Sequence, residues 1–357
     1  MEALEVTGFW AGKRVLLTGH TGFKGGWLAL WLQQLGAEVH GFALPAATTP
    51  ALWRVAGLEY VIAGSLADIR DAQAVTHAFQ AFAPEIVLHL AAQPLVRESY
   101  HTPADTYATN VMGTVNVLEA VRHTPSVRAV VVVTTDKCYE NREWLWPYRE
   151  QDTLGGFDPY SNSKACVELL CSAYRSSFLQ EAGVALATAR AGNVIGGGDW
   201  SADRLVPDVF RAWQEGEQVT LRYPQATRPW QHALEPLMGY LLLAQALVED
   251  GEKNAGAWNF GPGSGNVATV EKLVRSLARM WPHPVRWAID AAVQPHEAGL
   301  LALDSSKARL QLGWTPRWSL EQTLERTLAW HLAWQQGCDM HTFTRAQIAA
   351  YQSDTHE

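Results

Sequence analysis

A phenol and an ammonium stand four residues apart in Tyr160-Ser161-Asn162-Ser163-Lys164. On a helix that spacing stacks both side chains on one face. A free tyrosine is a poor base at neutral pH, its pKa being about 10. A neighbouring lysine cation and a positively charged nicotinamide ring both favour the phenolate, so the pair can move a proton alongside a hydride. Alone, such a pair is common on exposed helix faces. Far upstream, however, stands Thr18-Gly19-His20-Thr21-Gly22-Phe23-Lys24-Gly25. Its three glycines permit a tight turn, close approach to a pyrophosphate, and packing of helix on strand. The helix N-terminus that follows offers N–H groups and a positive dipole end to phosphates. Together the two motifs predict hydride transfer to and from a nicotinamide dinucleotide.

The elements that must position these residues follow one rhythm. RVLLT (14–18) reads as a strand, 27–35 as a helix, and AEVHGF (37–42) as the next strand. Then come a helix at 71–82, a strand at 85–90, a helix at 104–121 and a strand at 128–134. A helix over 160–182 and a strand over 184–190 continue the alternation. Strands of nearly continuous Val, Ile and Leu between helices predict an α/β Rossmann-type, doubly wound parallel sheet covered on both faces. After Asn193 the texture changes, and 196–200 and 222–232 read as loops. We therefore expect a Rossmann domain over 1–192, with a later strand and helix from about 233–262, and a smaller interleaved α/β substrate domain over 193–357.

The carboxylate that normally ends the second strand and selects NAD by bonding the adenosine ribose is missing. Gly41-Phe42-Ala43-Leu44-Pro45 carries neither acid nor arginine, and His20 and Lys24 lie close enough to leave a 2′-phosphate open. Asp68-Ile69, after the apolar segment 61–66, is expected at the adenine edge.

TGHTGFKG, LHLAAQ (88–93), Asn110 in TNVMGT, TTDKC (134–138), YSNSK and AGNVIGGGD (191–199) resemble the extended short-chain dehydrogenase/reductase family over essentially the whole chain. The resemblance implies bound NAD, touched by Ala91, Ala92 and Asn110 as well as the glycine loop. It also implies a C-terminal sugar-nucleotide domain and homodimers built from the helices of Asn110 and Tyr160, with tetramers left open. Thr135 would hydrogen-bond the sugar oxygen that Tyr160 deprotonates.

Asp136-Lys137 directly follows Thr135. Related dTDP-glucose 4,6-dehydratases carry Asp-Glu there, the Asp protonating the departing C6 hydroxyl and the Glu removing the C5 proton. Asp-Lys, with AAQPLVR (91–97), DKCY, GGGDW and RPWQH (228–232), is similar to the CDP-glucose 4,6-dehydratase branch. That implies a lyase turning CDP-glucose into CDP-4-dehydro-6-deoxyglucose and water, a step toward the deoxy- and dideoxyhexoses of lipopolysaccharide O-antigen. Elimination across C5–C6 needs a base and an acid together. Lys137 is a base only when neutral, which burial near Lys164 and the nicotinamide would favour. A plain strand-end salt bridge between Asp136 and Lys137 is the structural alternative. A nucleotide-sugar 4-epimerase, a 4,6-dehydratase of another nucleotide hexose and, more distantly, a non-catalytic dinucleotide sensor are the functional ones.

Two substrate phosphates call for arginines. Arg204 and Arg228 are expected at the pyrophosphate, since a guanidinium fork fits phosphate oxygens. Gln93, Arg97, Asn193 and His232 are expected along the sugar and phosphates, and Trp230 with Tyr223 on the cytosine; the role of His101 stays open. His232 with Glu235 and His296 with Glu297 lack a third ligand at a sensible distance, and no metal is expected.

Composition narrows the partners. Net charge is −8, so no basic field draws in nucleic acid or an anionic membrane. No apolar run nears the ~20 residues of a bilayer span, and MEALEVTGFWAGK lacks a signal-peptide pattern. Four cysteines without a Cys-x-x-Cys pair read as reduced thiols of a cytoplasmic enzyme.

Overall fold

The computed structural model describes residues 8–290 and 300–354. Seven parallel strands form the main sheet: β1 (Arg14–Thr18), β2 (Glu38–Ala43), β3 (Ala63–Leu66), β4 (Ile86–His89), β5 (Ala129–Val133), β6 (Ala185–Ala191) and a late strand, Gly256–Phe260. Their spatial order runs from Gly256–Phe260 through β6, β5, β4, β1 and β2 to β3. The order reverses between β1 and β4, and there ligands of such sheets bind, beyond the carboxyl ends of the strands.

Every residue of β4, β5 and β6 is buried, as expected of strands covered on both faces. Helix α1 (Phe23–Gln34) and the helix Leu234–Glu249 cover one face, inside the largest apolar cluster. Leu234–Glu249 is apolar nearly all round because it is buried nearly all round. The other face packs Val75, Phe79, Val117, Val121, Val167 and Cys171 against β4, β5 and β6.

The Tyr160 helix spans Pro159–Tyr174. Its start is doubly specified: Asp158 accepts from the Ser161 N–H, and Pro159 sits where a missing N–H costs nothing. Two expected helices are interrupted. A π-helical turn at Ala108–Met112 precedes Gly113–Arg122, and another at Arg175–Leu179 follows Tyr174. Wider turns of this kind re-aim side chains at functional positions, and Asn110 lies within the first.

A separate apolar cluster, including Val206, Phe210, Trp213, Trp230, Leu273, Leu277 and Leu324, forms the core of the later residues. The segment 222–232, expected as loop, holds two short strands, Thr227–Pro229 and Gln231–His232. They pair with Val267–Thr269 and Val194–Ile195, partners too distant in sequence to be anticipated from a local pattern.

Candidate active site

The centre of the site is the turn that leaves β5. Thr135 caps it, accepting from the Lys137 N–H and donating its hydroxyl to Asp136 Oδ1 at 3.1 Å. The Thr135 hydroxyl also acts on the Tyr160 phenol, favouring its ionised form. Asp136 is 1% exposed, and its Oδ2 has no hydrogen-bond partner. Burial pushes this carboxyl above the ordinary range; the Lys137 ammonium, the Thr135 hydroxyl and the Arg228 guanidinium pull it back. The carboxyl thus has both a neutral form within reach and a free oxygen. Lys137 is half-buried beside it.

Tyr160 and Lys164 share one helix face, but the ammonium has another partner. Lys164 Nζ donates to the Val133 carbonyl at 3.0 Å. Burial pushes the Tyr160 phenol up to about 12, opposed by the Thr135 hydroxyl and the Arg204 charge. The sequence-based expectation of a lowered phenol is therefore not met by the lysine alone, because desolvation outweighs every cation of the chain. Burial likewise draws Lys164 down to about 8.

The glycine loop fits a dinucleotide. Gly19 has φ +77°, and a Cβ on Gly25 would lie 2.0 Å from the Gly19 carbonyl oxygen. The Gly22 N-cap of α1 supplies no side-chain acceptor to the first turn. Ala91 and Gly19 approach so closely that a Gly19 Cβ would meet the Ala91 nitrogen at 2.8 Å. Thr21 donates to the Leu44 carbonyl, and Phe23 and Ala92 are half-buried nearby in the chain. Asn110 donates to Ser163 on the Tyr160 helix and exchanges hydrogen bonds with the Gln93 backbone, tying two helices to the loop after β4.

Three loop expectations change. His20 turns inward over Gly41, where a Cβ would sit 2.3 Å from its ring, and meets Trp53 edge-on. Burial drops it to about 4, so the ring brings no positive charge to a phosphate. Lys24 turns its ammonium inward, 5.8 Å from the centre of the Tyr240 ring. Burial draws it to about 7, with Arg204 and Lys164 adding. Asp68 is held by Arg70 through the backbone N–H at 2.8 Å and the guanidinium at 2.7 Å, and Ile69 is buried against Gly113.

At the expected substrate end, Arg204 pairs with Asp199 at 3.1 Å and Arg97 with Asp203 at 3.2 Å. Arg228 is buried, donates to the Thr227 carbonyl at 3.0 Å, and acts electrostatically on Asp136. Asn193 and Tyr223 are half-buried; His101 is exposed at a helix end. Trp230 and His232 are corrected. Trp230 is 4% exposed, its indole N–H donates to the Ala268 carbonyl, and it belongs to the later core, with no face free for a base. His232 is fully buried between Trp27 and Trp318. The Gln93 amide is likewise taken up by Leu95 and Thr106. Glu235 spends both oxygens on Arg317, Trp318 and Tyr351. His296 and Glu297 lie outside the described residues.

Sequence reasoning missed Glu168, Arg190 and Tyr240. Glu168 had a signal, standing four residues beyond Lys164 on the same helix face. Arg190 and the Tyr240 phenol, buried without a partner at Oη, had none.

The family model described as GDP-mannose 4,6-dehydratase matches residues 16–327. The chain is 51% identical over 352 residues to CDP-glucose 4,6-dehydratase of Salmonella typhimurium strain LT2, covering 97% of this chain and 98% of that protein. Its fold is similar to the crystal structure of UDP-glucose 4-epimerase from Thermotoga maritima with UDP-glucose, with a TM-score of 0.77 at 24% identity over 90% and 99% of the two chains. It is also similar to dTDP-glucose 4,6-dehydratase of Bacillus anthracis in complex with NAD, with a TM-score of 0.74 at 20% identity over 92% and 99%.

Proposed function

The chain belongs to the GDP-mannose 4,6-dehydratase family, and on that premise we propose that it is an NAD-dependent CDP-glucose 4,6-dehydratase. The reaction is an internal one: CDP-glucose becomes CDP-4-dehydro-6-deoxyglucose and water without net oxidation. Asp136 carries the reading, because a buried carboxyl with a free Oδ2 beside the Tyr160–Thr135 pair is what elimination adds to a hydride-transfer site. The likeness to the Salmonella protein supplies the nucleotide.

When bound, a nicotinamide dinucleotide would supply the reversible hydride acceptor that oxidation at C4 and reduction at C6 require. Gly19, Gly22 and Gly25 admit its pyrophosphate. No cation stands at the end of β2, where His20 is held neutral, which supports NAD over NADP. Thr135 and Tyr160 hold the C4 oxygen, and Tyr160 takes its proton. Lys137 takes the C5 proton while Asp136 gives a proton to the C6 hydroxyl, which leaves as water. When C6 regains its hydride, protonated Lys137 returns a solvent-exchanged proton to C5, and the proton held by Tyr160 passes back to restore Asp136. Arg228 sits close enough to tune Asp136, and Arg204 and Arg97 answer the phosphates once exchanged from Asp199 and Asp203.

The proposal extends to a cytoplasmic homodimer supplying deoxyhexoses for O-antigen. Exposed Tyr100, Met112 and Leu169, on or beside the helices of Asn110 and Tyr160, support the dimer. Among the described residues no helix is long and apolar enough to cross a membrane.

The test is a panel of CDP-, dTDP-, GDP- and UDP-glucose with NAD or NADP, read by the alkali-induced absorbance of a 4-keto-6-deoxy sugar. Signal with CDP-glucose and NAD, with solvent deuterium at C5, is expected. Signal with another nucleotide alone overturns the substrate, and C4 inversion without C5 exchange overturns the reaction.

A further inference from the structure

One buried ion pair, Glu168 with Arg190, grips both ends of the segment that carries the proposed acid and base. Lys164 Nζ donates to Val133, and one turn along the same helix Glu168 accepts from the Thr134 hydroxyl. Glu168 also accepts from Thr188 Oγ1 at 2.6 Å. Arg190 meets it with two prongs, Nε to Oε1 at 2.9 Å and Nη2 to Oε2 at 2.8 Å. Through Nη1, Arg190 then donates to the Tyr139 hydroxyl at 2.7 Å, on the far side of the turn. Both charged side chains are 3% exposed.

A buried ion pair recovers its desolvation cost only when hydrogen bonds satisfy both partners. Here those partners bracket residues 135–138, and no step proposed above uses either charge. We propose that Glu168, braced by Arg190, is a positioning residue that holds Thr134 and Tyr139 on either side of Thr135-Asp136-Lys137 and keeps Lys164 against the strand end. The assignment rests on the reading that Lys164 and Asp136 serve the dehydration.

Electrostatics agree with the geometry. Burial lowers Lys164, and the Glu168 carboxylate supports its charge; burial keeps the neighbouring Cys171 and Cys138 thiols un-ionised. Lys24 and His89 also face that ammonium from α1 and β4. Glu168 is the full carboxylate in this set.

The test is Glu168→Gln, which keeps the shape and removes the charge. In isotope-labelled protein, the Lys164 resonance, assigned with Lys164→Arg, should titrate about one pH unit lower than in the unsubstituted chain. The pH profile of CDP-glucose turnover should move in the same direction. Glu168→Gln/Arg190→Gln, which leaves no unpaired guanidinium, should show the downward shift even where the single variant fails to fold. An unshifted Lys164 in a folded variant overturns the proposal. A shifted Lys164 in a chain that does not turn over CDP-glucose overturns the functional reading and leaves the positioning role standing.

Discussion

Asp136 Oδ2 lies 3.0 Å from the place a Cβ would occupy on Gly192, so the glycine after β6 leaves room for the free oxygen of the proposed acid. The adjoining obstacle is Pro229, also 3.0 Å from that Cβ, so an added methyl has no soft neighbour to displace. Gly192→Ala should lower kcat by about 10- to 100-fold, the scale of a slightly misplaced catalytic group. Steady-state kinetics with the melting temperature measured alongside checks this; unchanged kcat in a folded variant refutes it.

Asp136 also predicts a trade of stability for activity. Burial raises its pKa in the folded chain, so its contribution to stability is present below the ordinary carboxylate range and is lost as pH rises. Asp136→Asn cannot ionise. It should melt about 2 °C higher at neutral pH, with the gain vanishing in acid, while dehydration is lost. A melting series against pH decides it.

Arg228 pulls the Asp136 carboxyl down. Arg228→Gln should therefore keep that acid protonated to higher pH, moving the alkaline limb of kcat upward by up to about one pH unit. A guanidinium that only bound phosphate would raise KM and leave the limb where it was.

Trp230→Phe should cost about 1–3 kcal/mol of stability, from the lost hydrogen bond to Ala268 and the space left in the later core. Denaturant unfolding measures that cost. Preference for CDP- over UDP-glucose should be unchanged, since the ring is enclosed; a large loss of selectivity at unchanged stability would restore it as a base contact.

Tyr160, raised to about 12 by burial, should stay un-ionised to about pH 10 in the chain alone. The phenolate difference spectrum between the chain and Tyr160→Phe reads this directly. Added NAD should bring the band to lower pH, because the ring's positive charge supplies what Lys164, anchored on Val133, does not.

The alternation of short apolar strands with helices was legible because a parallel sheet buried on both faces imposes it residue by residue. The glycine loop and the Tyr160–Lys164 pair were legible for the same local reason: each chemistry lies within a few residues of one element. Asp136 beside Thr135 was legible as a dipeptide. What one sequence cannot carry is which distant groups share a buried space. His20 turned inward because Gly41, on the next strand, left a hole; Trp230 became core because Val267–Thr269 pairs with its neighbouring strand. The ammonium of Lys164 found Val133, and in the chain alone desolvation pushed the tyrosine up, against the fall expected with both a lysine and a nicotinamide cation beside it. Periodicity and short motifs are local properties, and the sequence by itself determined the sheet and placed the glycine turn and the Tyr160–Lys164 pair on their elements. Burial and charge coupling sum over the whole packed chain, so only the tertiary structure decided which acid is desolvated and that Glu168 and Arg190 form a buried ion pair.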